Sequence, residues 1–353
     1  QSTALGGPAK ALGTGMRRGI LAAFQESNAA GGVDGRKLEL ISYDDGYEPD
    51  QAVENTNKLI DEDKVFALIG EVGTPTSTAA QPIAKRHGVP FIAPFTGASF
   101  LRKESNRHVI NIRSSYCQEV EAWVRHLTKD LGAEDIALLY QDDSYGRVGL
   151  TCLQKALGKR DMEIAAEATY PRNTTAVKRA VLTLRRADPD AITMVGAYEP
   201  VAEFIKLSKK LGLDVPFVNI SFVGSKALAD ALGDKSEGVI ISQVVPYPWS
   251  PSLALAEEYR KALDTAFPDA EPGFVSFEGY IAGRVTIHAL RQLSGETMTR
   301  EALIEAFYDL GGFEMGGVSF AFGPTDNQAL DEVFMTVVQD DGTFKAVDEL
   351  PQP

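Results

Sequence analysis

Segments with helical periodicity alternate with short apolar runs of strand type along most of this chain. Helical patterns at 15–30 and 49–61 flank a strand pattern at Lys37–Tyr43, and another strand pattern follows at Val65–Ile69. Alternation at this spacing favours right-handed βαβ crossovers, which place the strands in parallel sheets with helices on both faces. We therefore predict an α/β fold built from doubly wound, mainly parallel sheets.

The same alternation continues to about residue 307 and then changes. The other predicted helices are 78–87, 119–131, 146–158, 175–187, 200–211, 225–232, 252–267, 275–293 and 300–307, and the other strands are 89–93, 136–140, 163–169, 191–195, 216–219 and 238–243. After these come short strand-type runs at Val318–Phe322 and Glu332–Val338, followed by a turn at Asp340–Gly342. We expect these late strands to complete two sheets.

Length and charge limit the possible partners. A chain of 353 residues exceeds the usual size of a single core, so two domains are expected. Apolar residues make up 44% of it, and no run approaches the roughly 20 apolar residues of a membrane span. The formal charge of −14 repels phosphate backbones and anionic lipids. We expect neither a membrane protein nor a nucleic-acid partner.

Cys117 and Cys152 are the two cysteines, each placed just inside the start of a predicted helix on either side of one strand. Helix starts of consecutive βα units meet at the same edge of a sheet, so a disulfide is geometrically possible. Two separate buried thiols are the alternative. The four histidines show no metal-binding spacing, so no metal site is expected.

Two apolar runs end in small hydroxyl and glycine residues, one within Ala67–Thr78 and the other within Pro90–Arg102. The carboxyl ends of neighbouring parallel strands lie at one sheet edge, so the hydroxyls of Thr74, Thr76 and Thr96 should converge there. Helix amino termini behind them would favour a small anion such as a carboxylate. Ordinary helix capping by threonine is the alternative interpretation.

Enzyme and nucleotide motifs are absent from the sequence. The glycines of 13–19 have the wrong spacing for a dinucleotide loop, no phosphate-binding Gly-Lys-Ser/Thr occurs, and no Gly-x-Ser-x-Gly elbow is present. The paired acids Asp44-Asp45 and Asp142-Asp143 are more typical of solvated loops or caps than of catalytic carboxylates. We expect no enzymatic activity and no cofactor.

Several motifs in register with this alternation resemble the leucine/isoleucine/valine-binding proteins of bacterial ABC importers along essentially the whole chain. They are Gly6-Gly-Pro8, Gly31-Gly-Val-Asp-Gly-Arg36, Tyr43-Asp-Asp45, Asp142-Asp-Ser-Tyr-Gly146 and Gly196-Ala-Tyr-Glu-Pro200. The resemblance implies two α/β lobes joined by three crossovers, which close like a hinge on a ligand. Lobe one would comprise 1–116 and 246–325, and lobe two 117–245 and 326–353.

The resemblance also implies a set of ligand-binding residues. Contacts to the ligand's carboxylate and amine fall on the loop at Thr96, Gly97 and Ala98 and on Thr74; Ala98 can donate only its backbone N–H. Cleft aromatics fall on Tyr145 and Tyr198, and a wall of the side-chain pocket falls on Phe274, with Leu12 at a position where the family has an aromatic residue. For the tyrosines, a partly buried core role is the alternative.

One position departs from the family pattern. Where the family presents a glutamate to the ligand ammonium, this chain has Ser221. A neutral hydroxyl does not offset the cost of burying an ammonium as a carboxylate does. Either another acid takes the role, with Asp142, Glu199 and Glu278 as candidates, or the ligand lacks an amine.

Together, these features predict the extracytoplasmic receptor of an ABC importer, binding a small aliphatic, branched-chain amino acid. A receptor for a keto, hydroxy or aromatic acid, or the sensing domain of a larger receptor, is the alternative. We expect a monomer that acts with a membrane permease. Because the sequence starts at Gln1 without a leader, we expect a processed protein with its signal peptide removed, periplasmic or anchored by lipid outside the cytoplasm.

Overall fold

The computed structural model describes residues 1–295 and 297–352, with helices and strands alternating along most of the chain. The helices are α1 Lys10–Ala29, α2 Pro49–Asp61, α3 Thr74–Arg86, α4 Tyr116–Asp130, α5 Ser144–Gly158, α6 Lys178–Ala187, α7 Tyr198–Lys210, α8 Ser225–Leu232, α9 Ala254–Ala266, α10 Phe274–Gln292 and α11 Arg300–Asp309. The strands are β1 Ser2–Thr3, β2 Tyr43–Asp44, β3 Leu68–Ile69, β4 Phe91–Ile92, β5 Val109–Ile110, β6 Ile136–Gln141, β7 Glu167–Tyr170, β8 Ala191–Val195, β9 Phe217–Asn219, β10 Ile240–Gln243, β11 Gly312–Met315, β12 Val318–Ala321, β13 Phe334–Val338 and β14 Phe344–Val347.

The chain forms two compact units, and it passes between them more than once. Unit 1 comprises Gln1–Thr96, Phe100–Ser114 and Val245–Asp331. Unit 2 comprises Gly97–Ser99, Ser115–Val244 and Glu332–Pro353.

Unit 1 contains short parallel strands with helices packed around them. β1 pairs with β2, and β3, β4 and β5 follow one another in a three-stranded parallel sheet. α1 and α10 pack closely because their contact surface contains glycine: a Cβ on Gly19 would lie 1.9 Å from the Ser276 carbonyl oxygen. The glycines of 13–19 therefore lie in helix α1, where Gly19 permits this close packing.

A seven-stranded sheet organises unit 2, in the order β14-β13-β10-β9-β8-β6-β7. β6 to β10 run parallel, while β13 and β14 are antiparallel. Every residue of β6, β8, β9 and β10 is buried, as expected for a parallel sheet covered on both faces. The predicted α/β class with mainly parallel sheets is confirmed.

Two strand predictions were wrong. The alternating segment Lys37–Tyr43 forms a strand only from Tyr43, and residues 37–42 are irregular. Val318–Phe322 was expected to complete a sheet, but in the described residues β12 pairs with β11 in a separate antiparallel hairpin. The connecting Gly316 and Gly317 both have positive φ, 56° and 86°, which a tight hairpin turn requires.

Cys117 and Cys152 form a disulfide that joins α4 to α5, with their Cα atoms 4.8 Å apart. This outcome decides between the two alternatives that the sequence left open. The expectation that both cysteines lie at helix starts holds only for Cys117, because Cys152 is in the second half of α5.

Candidate functional site

In unit 1 the structure brings the predicted threonine hydroxyls of Thr74 and Thr96 together. Thr74 is the first residue of α3, Thr96 follows β4, and their Oγ1 atoms are 2.7 Å apart and buried. The preceding turn needs Gly73, whose φ is 110° and whose added Cβ would lie 2.2 Å from the Tyr47 ring. The shared hydrogen bond uses one of the pair's two protons.

Thr76 does not join this pair. Its hydroxyl donates to the carbonyl oxygens of Val72, at 2.5 Å, and Gly73, at 3.1 Å. These bonds tie the first turn of α3 to the loop before it, which is a common use of threonine at a helix start. The expected convergence therefore holds for two of the three hydroxyls.

Gly97 and Ala98, which the sequence placed beside Thr96, belong by their contacts to unit 2. The Gly97 carbonyl accepts a 2.8 Å hydrogen bond from the Tyr116 N–H at the start of α4. A Cβ on Gly97 would lie 2.5 Å from that same nitrogen, so only glycine fits this approach. The loop is therefore fixed directly against the helix that carries Cys117.

The predicted aromatics of unit 2 follow parallel strands, at the starts of helices. Tyr145 is the second residue of α5 and Tyr198 the first of α7, and both are buried. The Tyr145 hydroxyl donates to the Gly196 carbonyl at 3.3 Å, and its ring packs on Phe222 with centroids 4.7 Å apart. These contacts hold the ring in one orientation.

Ser221 rests on a buried carboxylate that the sequence analysis did not identify. Glu119, on α4, accepts from the Ser221 N–H at 2.8 Å and from the Ser221 hydroxyl at 2.9 Å. Ser242 donates to the same carboxylate at 2.5 Å and itself accepts from the Trp123 indole N–H at 2.9 Å. Glu119 has no measurable exposure. The residue at the position where the resemblance implies a glutamate is therefore hydrogen-bonded to an acidic side chain.

Two of the three acids suggested by the sequence are paired with arginine. Asp142 is exposed and forms a 3.2 Å ion pair with Arg147. Glu278, buried on α10, accepts from the Nε and an Nη of Arg113 at 2.7 and 2.8 Å. Glu199 is half-buried in the first turn of α7.

Phe274 begins α10 in unit 1 and belongs to an aromatic cluster. Its ring centroid lies 5.6 Å from that of Trp249 and 6.2 Å from that of Tyr247. Leu12 is buried in α1 with no exposed surface. Phe274 is therefore a buried member of an aromatic cluster, and Leu12 is a fully buried core residue.

An apolar cavity of about 190 Å³ also lies in unit 1, lined by residues that include Phe24, Leu40 and Leu303. Neither Thr74 nor Thr96 lines it. A mostly apolar lining offers little to orient a charged ligand, so we do not assign the solute site to this cavity.

Within the part of the chain that the structure describes, no group of three or more His, Cys, Asp or Glu side chains is placed to hold a metal ion. No helix among residues 1–295 and 297–352 has the length and hydropathy needed to cross a bilayer.

Comparison with known proteins places this geometry in a family. The family model described as periplasmic binding protein matches residues 2–343. A possible leucine/isoleucine/valine-binding protein from Rhodopirellula baltica is 38% identical, with a TM-score of 0.94 over 99% of this chain and 96% of that one. A substrate-binding periplasmic protein from Ralstonia solanacearum is 28% identical, with a TM-score of 0.92 over 98% and 99%.

A relative of known specificity also matches. The leucine-, isoleucine-, valine-, threonine- and alanine-binding protein of Pseudomonas aeruginosa is 25% identical over 66% of this chain, and the alignment spans 62% of that relative's length. The matching proteins are binding proteins, not enzymes. The resemblance found in the sequence is thus confirmed: the chain belongs to the leucine/isoleucine/valine-binding-like family of type I periplasmic binding proteins.

Proposed function

We propose that this chain is the extracytoplasmic receptor of an ABC importer and binds a small aliphatic amino acid, with branched-chain amino acids as the first candidates. The observation that carries the proposal is the buried Thr74–Thr96 hydroxyl pair at the start of α3, in a chain of this family. The names of relatives specify leucine, isoleucine and valine, which supports the ligand class.

The hydroxyl pair suits the ligand's carboxylate. When Thr96 donates to Thr74, the Thr74 proton can be donated to an anion, and the positive end of the α3 dipole lies at the same helix start. The Ala98 N–H is the further proposed donor, next to Gly97. Each hydrogen bond to a charged group contributes roughly 1.5–3 kcal/mol.

Aromatic residues suit the aliphatic part of the ligand. Tyr145 and Tyr198 are the proposed contacts from unit 2, and Phe274 with its neighbour Trp249 the proposed contact from unit 1. Leu12 remains a proposed pocket residue only through the family pattern. Large, rigid rings pack well against a branched alkyl group and lose little conformational entropy.

The disulfide supports the proposed location. Disulfides such as Cys117–Cys152 persist in oxidising compartments such as the periplasm. In this setting the receptor would act as a monomer and deliver its ligand to a membrane permease, after ligand-driven closure of its two units.

Calorimetric titration of ligand-stripped protein tests the proposal. Leucine, isoleucine, valine, alanine and threonine form the first panel, and their keto and hydroxy acids form the second. At least one amino acid should bind with a dissociation constant at or below about 1 μM, equivalent to about 8 kcal/mol. Absence of binding by every compound in both panels would refute the proposal.

X-ray scattering with and without the tightest ligand tests closure separately. The radius of gyration should decrease on binding because hinge closure compacts the molecule. Superimposable curves at saturating ligand would refute closure while leaving the binding function intact.

A receptor for an organic acid without an amine is the second candidate, and the neutral hydroxyl at Ser221 favours it. Direct competition between leucine and its keto acid distinguishes the two ligand classes. Clear preference for the keto acid would overturn the amino-acid assignment and leave the transport role standing.

A further inference from the structure

We propose that the outer face of helix α6 in unit 2 is a docking surface for an acidic segment of another protein. The proposal goes beyond solute binding, because it concerns residues outside the candidate solute site. α6, at Lys178–Ala187, connects β7, at one edge of the seven-stranded sheet, to β8.

This helix is strongly basic, although the chain as a whole carries a formal charge of −14. Its ten residues include no acid and four cations, which are Lys178, Arg179, Arg185 and Arg186. All four side chains are exposed. Among residues 1–295 and 297–352, none of the four forms an ion pair or a side-chain hydrogen bond. Their charges are therefore available to a partner.

Helix stability does not explain the cations in the first turn of α6. Lys178 and Arg179 are its first two residues, where the positive end of the helix dipole disfavours a cation. The preceding Val177 offers no side-chain hydrogen bond to the first N–H groups. Only Arg185 and Arg186, in the last turn, occupy favourable positions. A break with local helix preference of this kind is expected at a binding surface.

An exposed leucine lies between the two basic pairs. Leu182 follows Lys178 and Arg179 by one helical turn and precedes Arg185 and Arg186 by one turn. The five residues therefore share one face, which is about 12 Å long. Leu182 is 47% exposed, so an apolar side chain is available at the centre of this basic face.

A depression beside Leu182 has room for side chains of a partner. Its volume is about 460 Å³, and its lining consists of Leu182, Arg185, Arg186, Asp188, Gly212 and Leu213. The two arginines outnumber the single acid in this lining. A partner can therefore place an apolar group against Leu182 and carboxylates against the arginines.

An acidic protein segment fits this face better than an anionic membrane does. Guanidinium groups bind carboxylates through two parallel hydrogen bonds, and arginine is enriched in protein interfaces. A helix that binds a membrane surface inserts a row of apolar side chains, but the other large aliphatic residues of α6, Val181 and Leu184, are buried in unit 2. A membrane would also bring its negative charge close to other parts of an acidic chain, whereas a narrow segment meets α6 alone.

Fluorescence anisotropy of a labelled acidic peptide tests the proposal. The probe has about twelve residues, in which pairs of glutamate alternate with single leucines, and the control peptide has glutamine at every glutamate. The acidic peptide should bind wild type with a dissociation constant at or below about 100 μM in about 0.15 M salt, and the glutamine peptide at least about tenfold more weakly. No binding of the acidic peptide at about 1 mM would overturn the proposal.

Lys178→Glu combined with Arg179→Glu locates the binding on α6. Glutamate suits the first turn of a helix, so the fold should be retained while affinity for the acidic peptide falls about tenfold or more. Arg17→Glu with Arg18→Glu is the matched control, because these arginines are adjacent and exposed on α1 and the net charge changes equally. The control should change affinity by less than about twofold. Equal losses in the two double variants would indicate general charge attraction and overturn the proposal.

Leu182→Ala distinguishes docking from attraction by charge alone. Loss of the apolar contact should weaken peptide binding about threefold or more, and unchanged affinity would overturn the proposal. Circular dichroism and thermal melting establish that each variant is folded. Vesicles of phosphatidylglycerol and phosphatidylcholine complete the test. Sedimentation with these vesicles that Lys178→Glu with Arg179→Glu abolishes, without peptide binding, would assign α6 to lipid and overturn the protein partner.

Discussion

Two buried glutamates, Glu278 in unit 1 and Glu119 in unit 2, accept hydrogen bonds from different kinds of donor. Glu278 is 3% exposed and Glu119 is fully buried, so burial does not separate them. Glu278 is bonded through both oxygens to the Arg113 guanidinium, which also lies over the Phe95 ring at 4.1 Å. Glu119 instead accepts from two serine hydroxyls and an amide.

The difference is between an ion pair and a network of hydrogen bonds from uncharged groups. The ion pair engages both oxygens of Glu278, and breaking it removes the carboxylate that balances the buried Arg113 cation. The hydrogen bonds that Glu119 accepts instead hold Ser221 and Ser242 to α4. We therefore expect changes at Glu278 to affect the stability of unit 1, and changes at Glu119 to affect the position of Ser221 in unit 2.

The largest expected effect is on the stability of unit 1. Glu278→Gln should lower the free energy of unfolding by about 3 to 5 kcal/mol, because Arg113 keeps its charge in a buried site. Urea denaturation measures this loss. Glu305→Gln is the control: Glu305 pairs with Arg107 at the surface with half of its side chain exposed, so its loss should cost less than about 1 kcal/mol. Equal effects of the two variants would contradict the comparison.

The next largest effect is expected on removal of the disulfide. It concerns unit 2, because Cys117 and Glu119 both lie on α4. Cys117→Ser with Cys152→Ser should lower the free energy of unfolding by about 3 to 4 kcal/mol, since the bridge closes a loop with a sequence separation of 35. Thermal melting with and without dithiothreitol measures it. The double variant should be insensitive to the reductant, and loss of stability in both proteins on reduction would point to another cause.

A smaller effect is expected at the hydroxyl pair. Thr74→Val should weaken binding about tenfold to a hundredfold, because it removes the proposed hydrogen bond to the ligand's carboxylate. Leucine and its keto acid share that carboxylate, so both should weaken equally. Thr76→Val is the control, since its hydroxyl bonds only its own turn. Unchanged affinity in folded Thr74→Val would remove Thr74 from the site.

The smallest effect concerns a third buried glutamate, Glu71, after β3. Burial raises its pKa from 4.5 to about 7. A raised folded-state pKa means that its stabilising contribution is complete below about pH 4.5 and is lost as the pH rises through 7. Glu71→Gln cannot ionise, so its stability relative to wild type should increase by about 1 to 2 kcal/mol between pH 5 and pH 6.5. Parallel stability curves for the two proteins would contradict this.

The bounds of several helices and strands could be predicted from local sequence signals alone. α2 at Pro49–Asp61, α8 at Ser225–Leu232 and β8 at Ala191–Val195 have the predicted bounds. Proline in the first helical turn and a glycine after the last residue mark such ends directly. By contrast, residues 37–42 alternate like a strand but are irregular, because a strand also requires a partner that alternation does not specify.

In the candidate site, too, some contacts could be predicted from the sequence and others depend on tertiary packing. Thr74 and Thr96 were expected to meet because their loops leave adjacent parallel strands, and β3 does pair with β4. The contact between Glu119 and Ser221 spans 102 positions and depends on how α4 packs against unit 2's sheet. A buried glutamate on an amphipathic helix carries no sequence signal of its own, so this contact was visible only in three dimensions.

The chain contains two tryptophans, one in each unit, and their surroundings make them separate optical reporters. Trp123 is fully buried and bonded to Ser242, within the hydrogen-bond network of Glu119. Trp249 is partly exposed and lies against Phe274. Iodide should therefore quench the fluorescence of Trp249 and spare that of Trp123. The intrinsic emission of the unlabelled protein can thus follow the aromatic cluster of unit 1 and the Glu119 network of unit 2 as independent signals during a titration.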